Sequence, residues 1–160
     1  MEEKSTYVDI LVMALKKKIT ILEQMDRDSL EQEALLKKQE VSMEEIESTE
    51  EKKRISLEEL EKADMGFERV YERVKDAFQE NRYLYEAEIK EMQQLIKKIT
   101  DYTAKIQAQE LRNKQLMEYY FQRKKNEVKA FQFNQHSANK YTSHLADRES
   151  GVSYFFDNKK

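Results

Sequence analysis

The chain of 160 residues contains no proline, no cysteine and no tryptophan, and its only glycines are Gly66 and Gly151. Proline breaks helix interiors and glycine weakens them, so the usual punctuation of turns and hairpins is missing. Without cysteine there is no disulfide and no thiol nucleophile, which fits a reducing compartment. Two isolated glycines cannot build a glycine-rich phosphate loop. The two histidines, His136 and His144, have Phe133 and Tyr141 three residues before them. No Glu-x-x-His pair exists, and the signature of a di-iron carboxylate bundle goes with it. These absences predict no catalytic, metal-binding or cofactor-binding residues, and the chain is read as not an enzyme.

No run approaches the roughly 20 apolar residues that a membrane span requires. The apolar patch from Val8 to Leu15 ends in Lys16, Lys17 and Lys18, with no small-residue cleavage site after it. That pattern does not read as a secretory leader, so a soluble, cytoplasmic chain without membrane insertion is expected.

What is present is a near-even mixture, 38% charged and 39% hydrophobic. It suits long amphipathic helices, each with one apolar stripe and a wide solvated face. The net charge of -3 hides an asymmetry: residues 121–160 carry eight Lys or Arg against four Asp or Glu, and residues 1–120 are acidic. The run Arg123-Lys124-Lys125 is read as a solvated helix face, and no nucleic-acid partner is expected of so acidic a chain.

Three apolar series define the helices. The first is Val8, Leu11, Leu15, Ile19, Leu22 and Met25, at steps of three and four. Asp26-Arg27-Asp28-Ser29 interrupts it, and Ser29 with Gln32 suggests a capping box and a kink. Ser42 followed by Glu45 marks a stronger helix start. From there Met43, Ile46, Leu57, Leu60, Phe67, Tyr71, Val74 and Phe78 share a seam, with a polar layer at Glu50 and Lys53. After a polar break with Asn81 as cap, the third series runs Tyr85, Ile89, Met92, Ile96, Ile99, Thr103, Ile106, Asn113, Met117 and Tyr120. Asn113 on that seam can fix helix register. The expected fold is all-α: an elongated antiparallel bundle of about three long helices, at about 5–40, 42–79 and 81–128. Residues 1–128 form the helical domain. Residues 129–160, rich in Asn, Ser, Thr and aromatics, are read as a flexible, poorly ordered tail. Periodicity leaves open whether the seams close within one chain or in a homodimer.

The order of features resembles the FlgN family of flagellar export chaperones. The resemblance is carried by Ile10–Met25, by Ser42-Met43-Glu44-Glu45-Ile46 leading to Glu51-Lys52-Lys53, and by Asp64-Met65-Gly66-Phe67-Glu68-Arg69-Val70-Tyr71. Asn113-Lys114-Gln115-Leu116 and the terminal Ser153-Tyr154-Phe155-Phe156-Asp157-Asn158-Lys159-Lys160 complete it. It implies a chaperone of type III export in bacterial flagellum biogenesis. Its clients would be the C-terminal helices of hook-associated proteins (FlgK and FlgL type), delivered to an export gate protein (FlhA type). Client-binding residues are expected on the third helix and beyond: Leu116, Met117, Tyr120 and Phe121 as an apolar face past the shorter helices, extended by Tyr119, Val128, Phe131 and Phe133. Export-gate contact is expected at Tyr141, Tyr154, Phe155 and Phe156, and Tyr119 and Tyr120 are further tyrosines on offer. Competing readings are a FliT-like chaperone of the filament cap protein and a structural coiled-coil homo-oligomer without client.

Overall fold

A computed structural model describes the backbone of residues 2–130 and the side chains of residues 6–129. Three helices account for nearly all of it: α1 (Glu2–Leu36), α2 (Met43–Glu80) and α3 (Glu86–Ala130). They are 35, 38 and 45 residues long. A 3-10 turn, Arg82–Tyr85, leads into α3. The all-α antiparallel bundle is thus the observed fold.

The described residues pack as two compact units, one of residues 2–28 with 50–105, the other of residues 29–49 with 106–130. In the first unit, Val8 and Leu11 of α1 form a buried cluster with Val74 and Phe78 of α2, and Lys18 pairs with Asp64 at 2.6 Å. Advancing along α1 means retreating along α2, so the two are antiparallel. Lys16 pairs with Glu91 at 3.1 Å and Lys105 with Asp26 at 3.0 Å, so α1 and α3 run the same way. In the second unit Ser29 meets Glu110 and Gln32 meets both Asn113 and Thr49, which repeats that arrangement.

The apolar series of α1 is its buried stripe: Val8, Leu11, Leu15, Ile19, Leu22 and Met25 are all buried, joined by Val12 and Ile21. Burying so wide an apolar face is the main driving force for assembly. The Ser42 cap is also as expected, with the Glu45 amide donating to Ser42 Oγ at 3.1 Å. Glu44 and Glu45 in the first turn of α2 complement the positive end of the helix dipole.

Several boundaries differ from expectation. Helix α1 stops at Leu36 instead of about residue 40, because Val41 is itself buried and the chain must turn before it. No helix end falls at Asp26–Ser29. α1 is continuous there, and Ser29 and Gln32 are 1% and 0% exposed, directed at the other helices and not at a cap. Asn81 makes no side-chain cap. The 3-10 turn replaces it, closed by the Leu84 amide on the Asn81 carbonyl at 3.0 Å. It places the Tyr85 ring edge-on to Phe78, 5.2 Å between centroids. Helix α3 continues through Ala130, so residues 129 and 130 belong to it and not to a tail. Residues 131–160 lie outside the described chain.

Candidate helix-binding surface

Among the described residues no group of three or more His, Cys, Asp or Glu is placed to hold a metal ion. No described helix is long and apolar enough to cross a membrane. A shallow groove of about 270 Å³ is lined by Arg82, Tyr83, Glu86, Ile89, Lys90 and Gln93. Within it Lys90 pairs with Glu86 at 3.7 Å. The surfaces of interest are therefore helix faces.

In the first unit the seam shared by α2 and α3 is only partly closed. Val74 and Phe78 are buried, and Tyr85, Ile89 and Met92 pack against them, partly buried. Further along, the α2 seam carries Phe67, partly buried against the same cluster, with Tyr71 stacked on it at 6.0 Å and 39% exposed. On α3 the seam residue Ile96 is 47% exposed. Sequence reading assigned these side chains to the core because their spacing is that of a core. The α1 stripe from Val8 to Met25 is buried along its length, whereas Tyr71 and Ile96 stay exposed. The edges of the α2 and α3 seams are left uncovered.

The second unit is closed, and here the expected client-binding residues are found. Met117, Tyr120 and Phe121 are 3%, 1% and 5% exposed, in one cluster with Leu36, Val41 and Ile46. The Tyr120 hydroxyl donates to the Val41 carbonyl at 3.0 Å. These three residues do not form an uncovered face past the shorter helices. The end of α1, the loop and the start of α2 reach far enough to cover them. Leu116 is half-buried against the same cluster, Val128 is half-buried, and Tyr119 is 67% exposed. Phe131, Phe133, Tyr141, Tyr154, Phe155 and Phe156 lie outside the described residues.

Burial raises the Tyr120 hydroxyl above the ordinary phenol value. The Arg123 charge opposes this, while Glu127 and Glu45 add to it. The guanidinium of Arg123 and the ammonium of Lys124 lie 5.8 and 5.7 Å from the Tyr120 ring centre, within cation–π range.

Below that cluster the second unit is joined by polar groups. Ser29 Oγ donates to Glu110 Oε1 at 2.7 Å. Asn113 Nδ2 donates to the Ser29 carbonyl at 2.8 Å and to Gln32 Oε1 at 3.1 Å. Gln32 Nε2 donates to Thr49 Oγ1 at 2.8 Å, and Gln109 Nε2 to Asn113 Oδ1 at 3.0 Å and to Glu33. Bonds to Lys37 and then Gln109 hold the Glu33 carboxyl below the usual carboxylate value. Ser29, Gln32, Gln109, Glu110 and Asn113 are all no more than 2% exposed. The register role expected of Asn113 thus has a hydrogen-bonded geometry, but its partners Ser29, Gln32 and Gln109 were missed. A signal existed for two of them: Ser29 and Gln32 continue the α1 seam beyond Met25 at steps of four and three.

Compared with known proteins, the chain has no matching family model, and no curated protein or solved structure matches it.

Proposed function

We propose that this protein captures an amphipathic helix of another chain, as a cytoplasmic chaperone does for a client before assembly. The observation that carries this reading is the open seam of the first unit. Phe67, Tyr71, Met92 and Ile96 have core spacing and aromatic or aliphatic character, yet Phe67 and Met92 are only partly buried and Tyr71 and Ile96 are 39% and 47% exposed. An apolar helical stripe left in water is best closed by a further helix laid along it, in the helix-in-groove mode. Methionine beside the aromatics lets such a groove adapt to more than one helix.

The resemblance to FlgN-type chaperones supplies the specific form of the proposal. The clients are the C-terminal helices of hook-associated proteins of the FlgK and FlgL type, held unassembled and passed to an FlhA-type export gate. A FliT-like role toward the filament cap protein is the nearest alternative. The same open seam also fits a second copy of this chain, which would make the protein a structural homo-oligomer.

One experiment separates these. The full chain and a Tyr71→Glu/Ile96→Glu variant are co-purified with the C-terminal helices of hook–filament junction proteins and, in parallel, of the filament cap protein. Light scattering gives each mass. A one-to-one complex with a junction protein, lost in the variant, is the expected result. A complex with the cap protein alone favours the FliT-like role. A homo-oligomer that ignores both clients and dissociates in the variant would overturn the chaperone reading.

A further inference from the structure

At the 3-10 turn before α3 the chain leaves two large apolar side chains in water: Tyr83 is 75% and Leu84 48% exposed. Tyr83 lines the groove of about 270 Å³, and Ile89 is the other apolar residue of its wall. That volume is below the roughly 300 Å³ at which small-molecule pockets begin, and it suits an aromatic side chain and little more. The groove also sits in an acidic stretch. Residues 76–91 hold five Asp or Glu against two Lys or Arg. Of these, Glu80 and Glu86 are exposed, and Glu86 lies on the groove wall. We propose that residues 153–160 of this same chain dock here, with a ring of Tyr154-Phe155-Phe156 in the groove and Lys159 and Lys160 against Glu80 and Glu86.

Composition, charge and length each favour this occupant. Residues 131–160 hold six of the chain's sixteen aromatics, and three of the six are consecutive at Tyr154-Phe155-Phe156. Such rings gain by leaving water, and the exposed Tyr83 ring offers them an aromatic partner. The lysines follow the rings by three and four residues, and residues 153–160 carry one positive charge net, opposite in sign to residues 76–91. The reach is sufficient. Helix α3 runs 41 residues from Ile89 to Ala130, about 60 Å at its rise per residue. The 24 residues from 131 to 154 span up to about 80 Å when extended. Ile89 belongs both to the groove and to the apolar cluster of the open seam. The docking does not depend on the helix-capture reading. On that reading it has a consequence: the segment closes one end of the seam until a captured helix displaces it.

The full chain has no tryptophan, so Phe155→Trp places a single fluorophore at the docking segment. Its quenching by acrylamide is expected to be at least threefold weaker in the folded chain than in urea. Two groove variants are then compared in that background: Tyr83→Ser, and Glu80→Lys with Glu86→Lys. All three positions are exposed, so helix content by circular dichroism should be unchanged. Each variant should raise quenching at least twofold. Adding Lys159→Glu and Lys160→Glu to the charge-reversed protein should restore protection. Because the occupant is the same chain, protection should not change with dilution from about 50 to 0.5 μM. Equal quenching in the folded and unfolded chain, protection that survives both groove variants, or charge reversal without rescue would overturn the docking. Protection lost on dilution would also overturn it and assign the occupant to a second copy. No client is present in these measurements, so failure of helix capture leaves them standing, and their failure leaves helix capture standing.

Discussion

The unit of residues 1–28 and 50–105 buries thirteen apolar and four polar or charged side chains among the described residues. The unit of residues 29–49 and 106–130 buries seven apolar and six polar ones. The first is held by the breadth of one helix face, the second by hydrogen bonds that fix which residue meets which. Apolar burial is strong but indifferent to register, since leucine packs nearly as well one turn away. A buried amide must find its one partner or lose it, and the cost of misalignment supplies specificity more than stability. The open seam and the closed polar layer follow from this division. Where α1 is buried along its length, the seam between α2 and α3 is left partly open. Where hydrogen bonds align all three, Met117, Tyr120 and Phe121 are closed in, and the apolar side chains left exposed are Leu30, Leu111 and Tyr119.

The largest effect should come from breaking the first unit at its centre. Leu22 is 0% exposed, and Leu22→Ala leaves a cavity that its neighbours fill only in part. A loss of about 3 kcal/mol is expected, and a thermal midpoint lower by about 10 °C. Ile96→Ala removes as apolar a side chain from the same unit, but one already 47% in water, so it should cost less than about 1 kcal/mol. Parallel denaturant melts check the pair. If the two variants melt alike, the distinction between a closed α1 face and an open α2–α3 seam is wrong.

A smaller effect sharpens the contrast from the side of the second unit. The Tyr120 hydroxyl is raised above the ordinary phenol value, mainly by burial. The folded state therefore holds its proton more tightly than the unfolded chain. The stability linked to it is intact below the unfolded phenol value of about 10, and is lost as pH rises from there through the folded value. Melts at pH 9 to 11.5 should show a steeper alkaline fall for the natural chain than for Tyr120→Phe, which cannot ionise. Equal slopes would mean that Tyr120 is not closed in by Val41 and its neighbours.

Much of this was legible in the residues. The three apolar series located all three helices, and the Ser42–Glu45 spacing located the start of α2, because periodicity and capping are local and leave their mark in one helix at a time. The polar layer was not, apart from Asn113. Ser29 and Gln32 were read as a cap because a polar break in an apolar series ordinarily means a helix end. Only their partners at Thr49, Glu110 and Asn113, on other helices, turn the break into a buried network. The expectation of an uncovered face at Met117, Tyr120 and Phe121 failed for a related reason. Spacing shows that Met117, Tyr120 and Phe121 share a helix face, but whether that face is covered depends on where α1 stops and how Val41 turns inward. That is a property of the assembled unit and of no single segment.

The smallest effect concerns Gly66, inside α2 in the first unit. A Cβ built there meets nothing within 4 Å, so no packing reason within the chain requires glycine. Its cost is entropic, and Gly66→Ala should stabilise the protein by about 0.5–1 kcal/mol, read as a raised denaturant midpoint at unchanged slope. The position precedes Phe67, which lies on the open seam, and that makes the substitution informative beyond stability. A Gly66→Ala protein that is more stable and captures a helix as well as before would leave the glycine as an uncompensated weakness of α2. One that is more stable but captures a helix less well would show that the missing side chain makes room for the partner's backbone. The open seam would then extend from the Phe67–Tyr71 stack onto the face that Gly66 leaves bare.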